Sequence, residues 1–263
     1  MPLTSPHPSV VFSIITVVYN GADLLPGTVE SVRKQTWPGI EYWIIDGGST
    51  DGTAELIRQY AAEMPNVKWI SEKDQGLYDA MNKGLRRATG NFVWFLNCGD
   101  HLHAANTVEQ LAATVSVQTD VLYGETMLVD NERHPHGTMS ALSTRKLPAQ
   151  LHWRHYLGGM MVVHQSFVPR RTLAPEFITG NLCADYDWCI RILKKSRETV
   201  NSGLILTDYL MGGISKKRHR QSLKDRFAVM RNHFGLAPAL LAHGWIVLRA
   251  IWHIVSKTGQ QRY

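Results

Sequence analysis

The sequence predicts an α/β protein with a Rossmann-like, mostly parallel sheet and helices on both faces. Three observations lead there. Apolar, β-rich runs alternate with segments of helical spacing from Val10 to Leu96, the pattern that right-handed βαβ crossovers require. The run Phe92-Val-Trp-Phe-Leu96 is apolar throughout, without polar alternation, as suits a strand covered on both faces. Successive predicted strand ends carry acids, at Asp46, at Glu72 and Asp74, and at Asp100. In open α/β sheets ligands bind at those carboxyl ends.

The elements follow in order. Val10 to Val18 reads as the first strand, ended by the turn chemistry of Tyr19-Asn20-Gly21. Leu24, Leu25, Val29 and Val32 mark a helix from about Asp23 to Gln35. Tyr42 to Ile45 is the second strand, ending in the glycine-rich loop Asp46 to Thr53. Asp51 is expected to cap a helix reaching about Met64, with Glu55 in its first turn. Asn66 to Ser71 is a third strand. Leu77, Ala80, Met81, Gly84, Leu85 and Ala88 form a helical stripe, with Gly90 as its C-cap. The Phe92 strand then delivers Asn97-Cys98-Gly99-Asp100. An amide and a carboxylate there are hard oxygen ligands for Mg²⁺ or Mn²⁺, although the same residues also make turns.

Beyond Asp100 the pattern weakens. A helix is expected over His103 to Val117, short strands over Val121 to Gly124 and Thr126 to Val129, and irregular chain over 131 to 155, where His134, His136, His152 and His155 lack ligand spacing. Gly158 to Val163 reads as a strand ending at His164-Gln165. A helix runs from Asp185 to about Lys195, and Leu204 to Leu206 is a short strand. The reading divides the chain into a disordered N-terminus over 1–9, a catalytic domain over 10–220 (nucleotide-binding half about 10–100, acceptor half about 101–220) and a C-terminal helical segment over 221–263.

Composition sets bounds. The 263 residues are 44% hydrophobic and 19% charged, ordinary for a protein with a real core. A net charge of +6 suits nucleotide diphosphates, anionic lipid or nucleic acid without choosing among them. The positive charge is uneven, with one cluster at Lys216-Lys217-Arg218-His219-Arg220 and Lys257 and Arg262 near the end. Three cysteines, Cys98, Cys183 and Cys189, form no CxxC pair, which argues against a disulfide framework or a zinc site and for a reducing compartment. Cys98 reads as a small buried residue rather than a nucleophile. Met1 to Ser9 holds three prolines and no apolar core, so it does not read as a signal peptide.

No GxGxxG follows the first strand, and neither GxxxxGK[ST] nor GxSxG occurs. Dinucleotide, P-loop and esterase readings therefore fall away. What remains is strand-end acids, a metal-type loop and a basic cluster, a set that suits a nucleotide diphosphate held by a divalent ion. The segments Thr16-Val-Val-Tyr-Asn20, Asp46-Gly-Gly-Ser-Thr-Asp-Gly-Thr53, Glu72-x-Asp-x-Gly76, Asp79-Ala-Met-Asn-Lys-Gly84 and Phe95-Leu-Asn-Cys-Gly-Asp100 together resemble the family 2 inverting glycosyltransferases with a GT-A fold. His164-Gln165-Ser166, Ala184-Asp-Tyr-Asp187 and Gly212-Gly-Ile-Ser215 resemble its colanic-acid and exopolysaccharide branch. Each motif is weak alone; their order and spacing over about 10 to 220 are specific.

The resemblance implies roles position by position. Asp46, with Gly48 in its loop, matches the acid that hydrogen-bonds uracil or another donor base. Thr16, Val18, Tyr19 and Asn20 match the nucleotide-side wall, Asp74 an acid near the donor ribose and sugar, and Asn97 a donor-side position. Asp100 matches the last acid of the metal motif, for Mg²⁺ or Mn²⁺. Asp185 matches the general base. The chain departs from the commoner pattern twice. The metal motif reads Asn-Cys-Gly-Asp, so Asp100 is its one charged ligand, and the base motif reads Ala-Asp, which leaves Asp185 and Asp187 as rivals. Asp187 is alternatively a helix N-terminal acid. His164 and Gln165 are acceptor or metal candidates against a plain structural pair. Lys216, Arg218 and His219 form either a solvated face or, after Gly212-Gly213, a loop that closes on diphosphate.

The implied reaction is an in-line displacement at the anomeric carbon of a nucleotide-sugar donor by a hydroxyl of a glycan or lipid-linked acceptor, with inversion. From about Ala239 to Lys257 the chain is apolar and helical, with Leu241, Trp245, Leu248, Trp252 and Val255 on one face and Arg249, His253 and Lys257 in a polar line. Interrupting polar residues argue against a spanning helix, and tryptophans with cations suit a membrane interface. The expected place is the cytoplasm, peripheral to the inner membrane. Rival readings are a non-catalytic nucleotide-sugar or glycan binder and a sugar nucleotidyltransferase, for which Tyr19 to Asp23 lacks the basic loop. Nucleic acid is not an expected partner, because no recognised module or aromatic interleaving occurs.

Overall fold

A computed structural model describes residues 10–143, 145–212, 218–245 and 248. The expected N-terminal disorder, Lys216 and most of the C-terminal helix beyond 245 lie outside these residues. The first half of the chain is a βαβ series. Strands β1 (Phe12–Val18), β2 (Ile40–Asp46), β3 (Val67–Ser71) and β4 (Phe92–Phe95) form a parallel sheet in the order β3-β2-β1-β4. Every residue of β1 and β4 is buried, which is what their unbroken apolar runs require. Helices α1 (Leu25–Arg33), α2 (Thr53–Glu63) and α3 (Leu77–Arg87) make the crossovers.

The α3 stripe packs its backbone onto the sheet. A Cβ at Gly84 would fall on Ile15 Cγ2 and lie 3.2 Å from Ile45 Cγ1. Gly90 is not the C-cap; Ala88 is. Gly90 instead packs against β1, where a Cβ would come 2.7 Å from the Val11 carbonyl and from Ser13 Oγ. Asp51 stands one residue outside the α2 cap position, held by Gly52, yet still accepts from Thr53 N at 3.1 Å.

The second half of the chain departs more from expectation. A second, mixed sheet has the order β5-β9-β6-β7, with β8 also on β6. Its strands are β5 (His101–Leu102), β6 (Val121–Val129), β7 (Pro135–Thr138), β8 (Phe167–Pro169) and β9 (Thr199–Leu210). The two expected short strands are one strand, β6, with register shifts beside Glu125. The expected strand over 204–206 is the long β9, parallel to β6. The expected helix over 103–117 shrinks to α4 (Thr107–Ala112), because residues 103–106 form the turn out of β5, with His103 N on the Leu206 carbonyl and Ala104 N on Thr107 Oγ1. The stretch over 131–155 holds β7 and the short helix α5 (Met139–Leu142). Gly158 to Val163 is not a strand. A 3-10 turn, Trp153–Gly158, precedes it and a second turn, His164–Ser166, follows. Helix α6 (Ala184–Leu193) stands as expected, and α7 (His219–Phe234) leads at Gly235 into a helix over 236–245. The two sheets meet at β4 and β8 through the Phe92–Arg170 bridge.

Gly84→Ala tests the α3 contact. Overpacking at a site with no room costs about 1–3 kcal/mol, so the urea midpoint is expected to fall with an unchanged slope.

Candidate active site

The parallel strands end together, and their loops are stitched to one another. Asn20 takes a left-handed φ of 49°. Its N–H donates to Ser49 Oγ at 2.7 Å, and its Oδ1 accepts from Thr50 N at 2.9 Å. The loop after β1 is thereby fixed to the loop after β2. Asp46 is fully buried and accepts from Ser49 N, from Ser49 Oγ at 2.5 Å and from Ser71 Oγ at 2.5 Å. The carboxylate thus braces the ends of β2 and β3 and, through the Ser49 hydroxyl, the loop after β1. The Gly47 backbone runs directly against Asp74 and the Tyr19 ring: a Cβ there would strike Asp74 Oδ2 and lie 3.3 Å from Tyr19 Cδ2. Gly48 has φ 81° and packs against the Lys73 backbone. Tyr19 is 65% exposed, a bare aromatic face beside this crevice. Asn20, Gly48, Asp74 and Tyr19 therefore come together. Thr16 and Val18 do not join them by side chain: Thr16 is buried against the Tyr42 hydroxyl at 3.0 Å, and Val18 lies in the core.

The loop after β4 is the second component. Gly99, at φ 99°, lies under Leu210, whose Cδ2 would be 3.1 Å from a Cβ there. Asp100 is buried and accepts from Leu210 N and from Gln165 Nε2, both at 3.0 Å. Burial pushes its carboxyl up to about 6, against the lowering by these two donors and by His164 and Arg133. Asn97 Nδ2 lies 3.1 Å from His164 Nε2, while Asn97 Oδ1 is buried with no partner. An orphaned hard oxygen in the same loop as a buried carboxylate fits a divalent cation. Among the described residues one group of three ligating side chains also stands close together, Asp130, Glu132 and His134, largely exposed on the β6–β7 turn. Cys98 is half-buried, and burial lifts its thiol to about 12, so no thiolate nucleophile is present.

The third component is Asp185 at the start of α6. Its Oδ1 accepts from the Tyr78 hydroxyl at 3.2 Å, and its Oδ2 lies 3.2 Å from His164 Nδ1. One tautomer satisfies both imidazole contacts: Nδ1–H donates to Asp185, and Nε2 accepts from the Asn97 amide. Burial and the Asp185 charge hold the Tyr78 phenol well above its usual range, so it remains a donor. The Asp185 side chain keeps 21% exposure. Asp187 has a different setting. Its Oδ2 takes Arg191 Nε at 2.6 Å and its Oδ1 lies 2.7 Å from His233 Nε2 on α7. Burial raises its carboxyl, but His233 and Arg191 outweigh it and leave the group below the usual carboxylate range. Asp187 therefore clasps α6 to α7.

Three functional neighbours escaped the sequence reading. Tyr78 is the second residue of α3 and stood in neither the apolar stripe nor any motif. Arg133 lies on the β6–β7 turn at φ 65° and donates to the Gly99 carbonyl at 2.7 Å, bringing a cation to the Asp100 loop. His233 belonged to no motif. Each acts through a contact distant in sequence, for which no local signal exists. Of the basic cluster, Arg218 is exposed immediately before α7, and His219 begins that helix. His164 and Gln165 are both buried and both engaged with the site's acids.

Comparison with known proteins agrees with this arrangement. The family model described as glycosyl transferase family 2 matches residues 13–174. A PGL/p-HBAD biosynthesis glycosyltransferase of Mycobacterium tuberculosis is 31% identical over 188 residues, covering 69% of each protein. Among solved structures, S. aureus TarS in complex with UDP-GlcNAc superposes with a TM-score of 0.66 at 17% identity, over 89% of this chain and 72% of that one. The mannosyltransferase PcManGT from Pyrobaculum calidifontis, in complex with GDP-Man and Mn²⁺, gives 0.67 at 17% identity, over 98% and 83%. Both are GT-A glycosyltransferases in fold, and this chain shares that fold.

The Asp187 clasp carries a testable sign. Asp187→Asn leaves His233 and Arg191 without their anion, at a cost of about 2 kcal/mol after allowing for partial solvent screening. For a chain of this size that lowers Tm by roughly 4–8 °C. A depressed carboxyl contributes stability above its unfolded value and loses it as pH falls. The gap between wild type and variant is expected to close below about pH 4, as read by thermal melts across pH.

Proposed function

The chain belongs to glycosyl transferase family 2, and on that footing we propose that it is an inverting transferase. It moves a sugar from a nucleotide-diphosphate donor, a UDP-sugar by preference, to a hydroxyl of a glycan or lipid-linked acceptor in surface polysaccharide assembly. The observation that carries the reading is Asp185. Its carboxylate is held by Tyr78 and His164, remains partly open to solvent, and is joined by a single imidazole to the Asn97–Asp100 loop. A fixed carboxylate with one open side is placed to receive a proton from an incoming hydroxyl. The TarS complex with UDP-GlcNAc and the PcManGT complex with GDP-Man and Mn²⁺ support a nucleotide-sugar donor and a divalent ion.

In this reading the donor base lies at Tyr19 and the Asp46 loop, with Asp74 and Gly48 toward the ribose. Asn97 Oδ1 and Asp100 would hold Mg²⁺ or Mn²⁺, which supplies charge for the departing diphosphate. The acceptor oxygen attacks the anomeric carbon while the bond to the diphosphate oxygen breaks. The proton passes to Asp185. Tyr78 and His164 orient that carboxylate. One displacement without a covalent intermediate inverts the anomeric configuration. Arg218 and His219, at the foot of α7, are assigned to the diphosphate side, together with Lys216.

We place the protein at the cytoplasmic face of the inner membrane. No described helix is long and apolar enough to cross a bilayer. Leu241, Trp245 and Leu248 are 77%, 64% and 62% exposed. Residues 216–263 hold ten of the 28 Lys and Arg but only Asp225 of the 22 acids. An exposed apolar helix in a strongly basic segment suits an anionic lipid surface.

Two experiments test these readings. Purified protein with Mn²⁺ is titrated with UDP-, GDP- and dTDP-sugars. One donor is expected to bind, with binding lost in Asp100→Ala. Asp185→Asn is expected to keep donor binding and lower kcat about 10²- to 10⁴-fold. Failure of every donor to bind a folded protein removes the transferase reading. For the membrane, vesicles containing phosphatidylglycerol are expected to retain wild type and release a Leu241→Ser/Trp245→Ser variant at least about tenfold more readily, since each buried apolar side chain contributes roughly 1.5–3 kcal/mol. Equal retention of the two proteins removes that placement.

A further inference from the structure

A cavity of about 190 Å³ lies between α5, the 3-10 turn over Trp153–Gly158 and α7. The donor crevice does not use it. Its lining combines Met139, Met160 and Met161 with Arg145 and Arg226. Both walls rest on residues that bracket Asp185. On one wall, Arg145 donates to the carbonyls of His155 and Gly159, the latter at 3.1 Å. Gly159 N donates to the Tyr156 carbonyl at 2.9 Å, and the same carbonyl receives the Tyr186 hydroxyl. On the other wall, the Cys183 thiol meets the Ser222 carbonyl at 3.4 Å and feels the Arg226 guanidinium. Burial raises the Tyr186 phenol, and the charges of Arg226 and Arg145 draw it back.

Arg226 enters no ion pair among the described residues. Its neighbour Asp225 is spent on Leu182 N and Gln221, each at 2.8 Å. Arg145 is fixed by the His155 and Gly159 carbonyls, and a neutral sugar hydroxyl gives no reason for the further guanidinium of Arg226 at the same cavity. Guanidinium is the donor that matches phosphate geometry, and thioethers are adaptable apolar lining. Next to Arg226, Phe227 packs edge-on against His243 with ring centroids 5.5 Å apart. That contact ties the cavity wall to the helix over 236–245, where Leu236, Leu240 and Leu241 are exposed.

We propose that this cavity is the acceptor subsite and that it receives an acceptor bearing a phosphate attached to an apolar chain. The proposal rests on the transferase reading of Asp185. The phosphate sits at Arg226 and Arg145, the apolar chain lies along the methionines, and the reacting hydroxyl is thereby brought to the start of α6.

The test titrates farnesyl phosphate onto the full chain in EDTA and, separately, in Mn²⁺ with and without saturating UDP, using wild type, Arg226→Ala and Arg226→Lys. Farnesol and inorganic phosphate serve as separate arms. Farnesyl phosphate is expected to bind wild type unaffected by UDP and about tenfold more weakly in Arg226→Ala, the loss of one charge-assisted contact, with Arg226→Lys between them. Donor binding, measured alongside, is expected to be equal in all three proteins and reports that the fold is intact. Inorganic phosphate binding as tightly as farnesyl phosphate keeps the phosphate site and assigns it to a soluble phosphate compound. Equal affinity in wild type and Arg226→Ala, binding of farnesol as tight as that of its phosphate, or full competition by UDP overturns the proposal. Donor binding without farnesyl phosphate binding sinks this subsite alone; the reverse pattern sinks the transferase reading instead.

Discussion

One buried imidazole holds the two halves of the site in register. His164 is almost wholly enclosed, and both its nitrogens are committed, one to Asp185 and one to Asn97. Because a neutral imidazole has one donor and one acceptor, each choice fixes the other. Directing Nδ1–H at the carboxylate makes Nε2 an acceptor, which turns the Asn97 amide toward it and frees Asn97 Oδ1. The freed oxygen and the oriented carboxylate are therefore consequences of a single tautomer. The Trp94 indole donates to the Gln165 carbonyl at 2.7 Å and so anchors the turn that carries His164.

The parallel half was legible because its signals are local. Unbroken apolar runs marked β1 and β4, helical stripes marked the crossovers, and the acids at Asp46, Asp74 and Asp100 came to one edge as alternation predicted. The acceptor half was illegible for a physical reason. β9 mixes polar and apolar residues and owes its length to pairing with β6, about which nearby residues carry no information. The rivalry between Asp185 and Asp187 had the same character. Two acids two positions apart differ only in their partners, and His233, which claims Asp187, stands 46 residues away. The expected strand over 158–163 failed because an apolar run with glycines can equally be a turn packed on a core.

The single acid in the Asn-Cys-Gly-Asp loop also has an electrostatic sense. Asp100 is already costly to ionise where it lies, and a second carboxylate at position 97 would raise that cost through like-charge repulsion. Asn97 supplies an oxygen without the charge. Arg133, reaching over from the β6–β7 turn, and the neighbouring His164 partly offset what burial does to Asp100. The loop thus carries one anion and a neutral amide, with hydrogen bonds from Leu210 and Gln165 orienting the carboxylate.

The bond from Leu210 N to Asp100 has a consequence during synthesis. The four parallel strands are complete once the ribosome has released β4, and they need no later segment for their own pairing. Asp100, however, gains its backbone donor only from the last residue of β9, and β6 waits for the same strand along its parallel edge. Domains fold as the chain emerges from its N-terminus. A nascent chain therefore carries a formed donor-side scaffold with a hydrated Asp100 for as long as it takes to translate the whole acceptor half. Docking of β9 is the event that dehydrates this carboxylate, so Asp100 reaches its buried setting only once residues far beyond the parallel sheet have emerged.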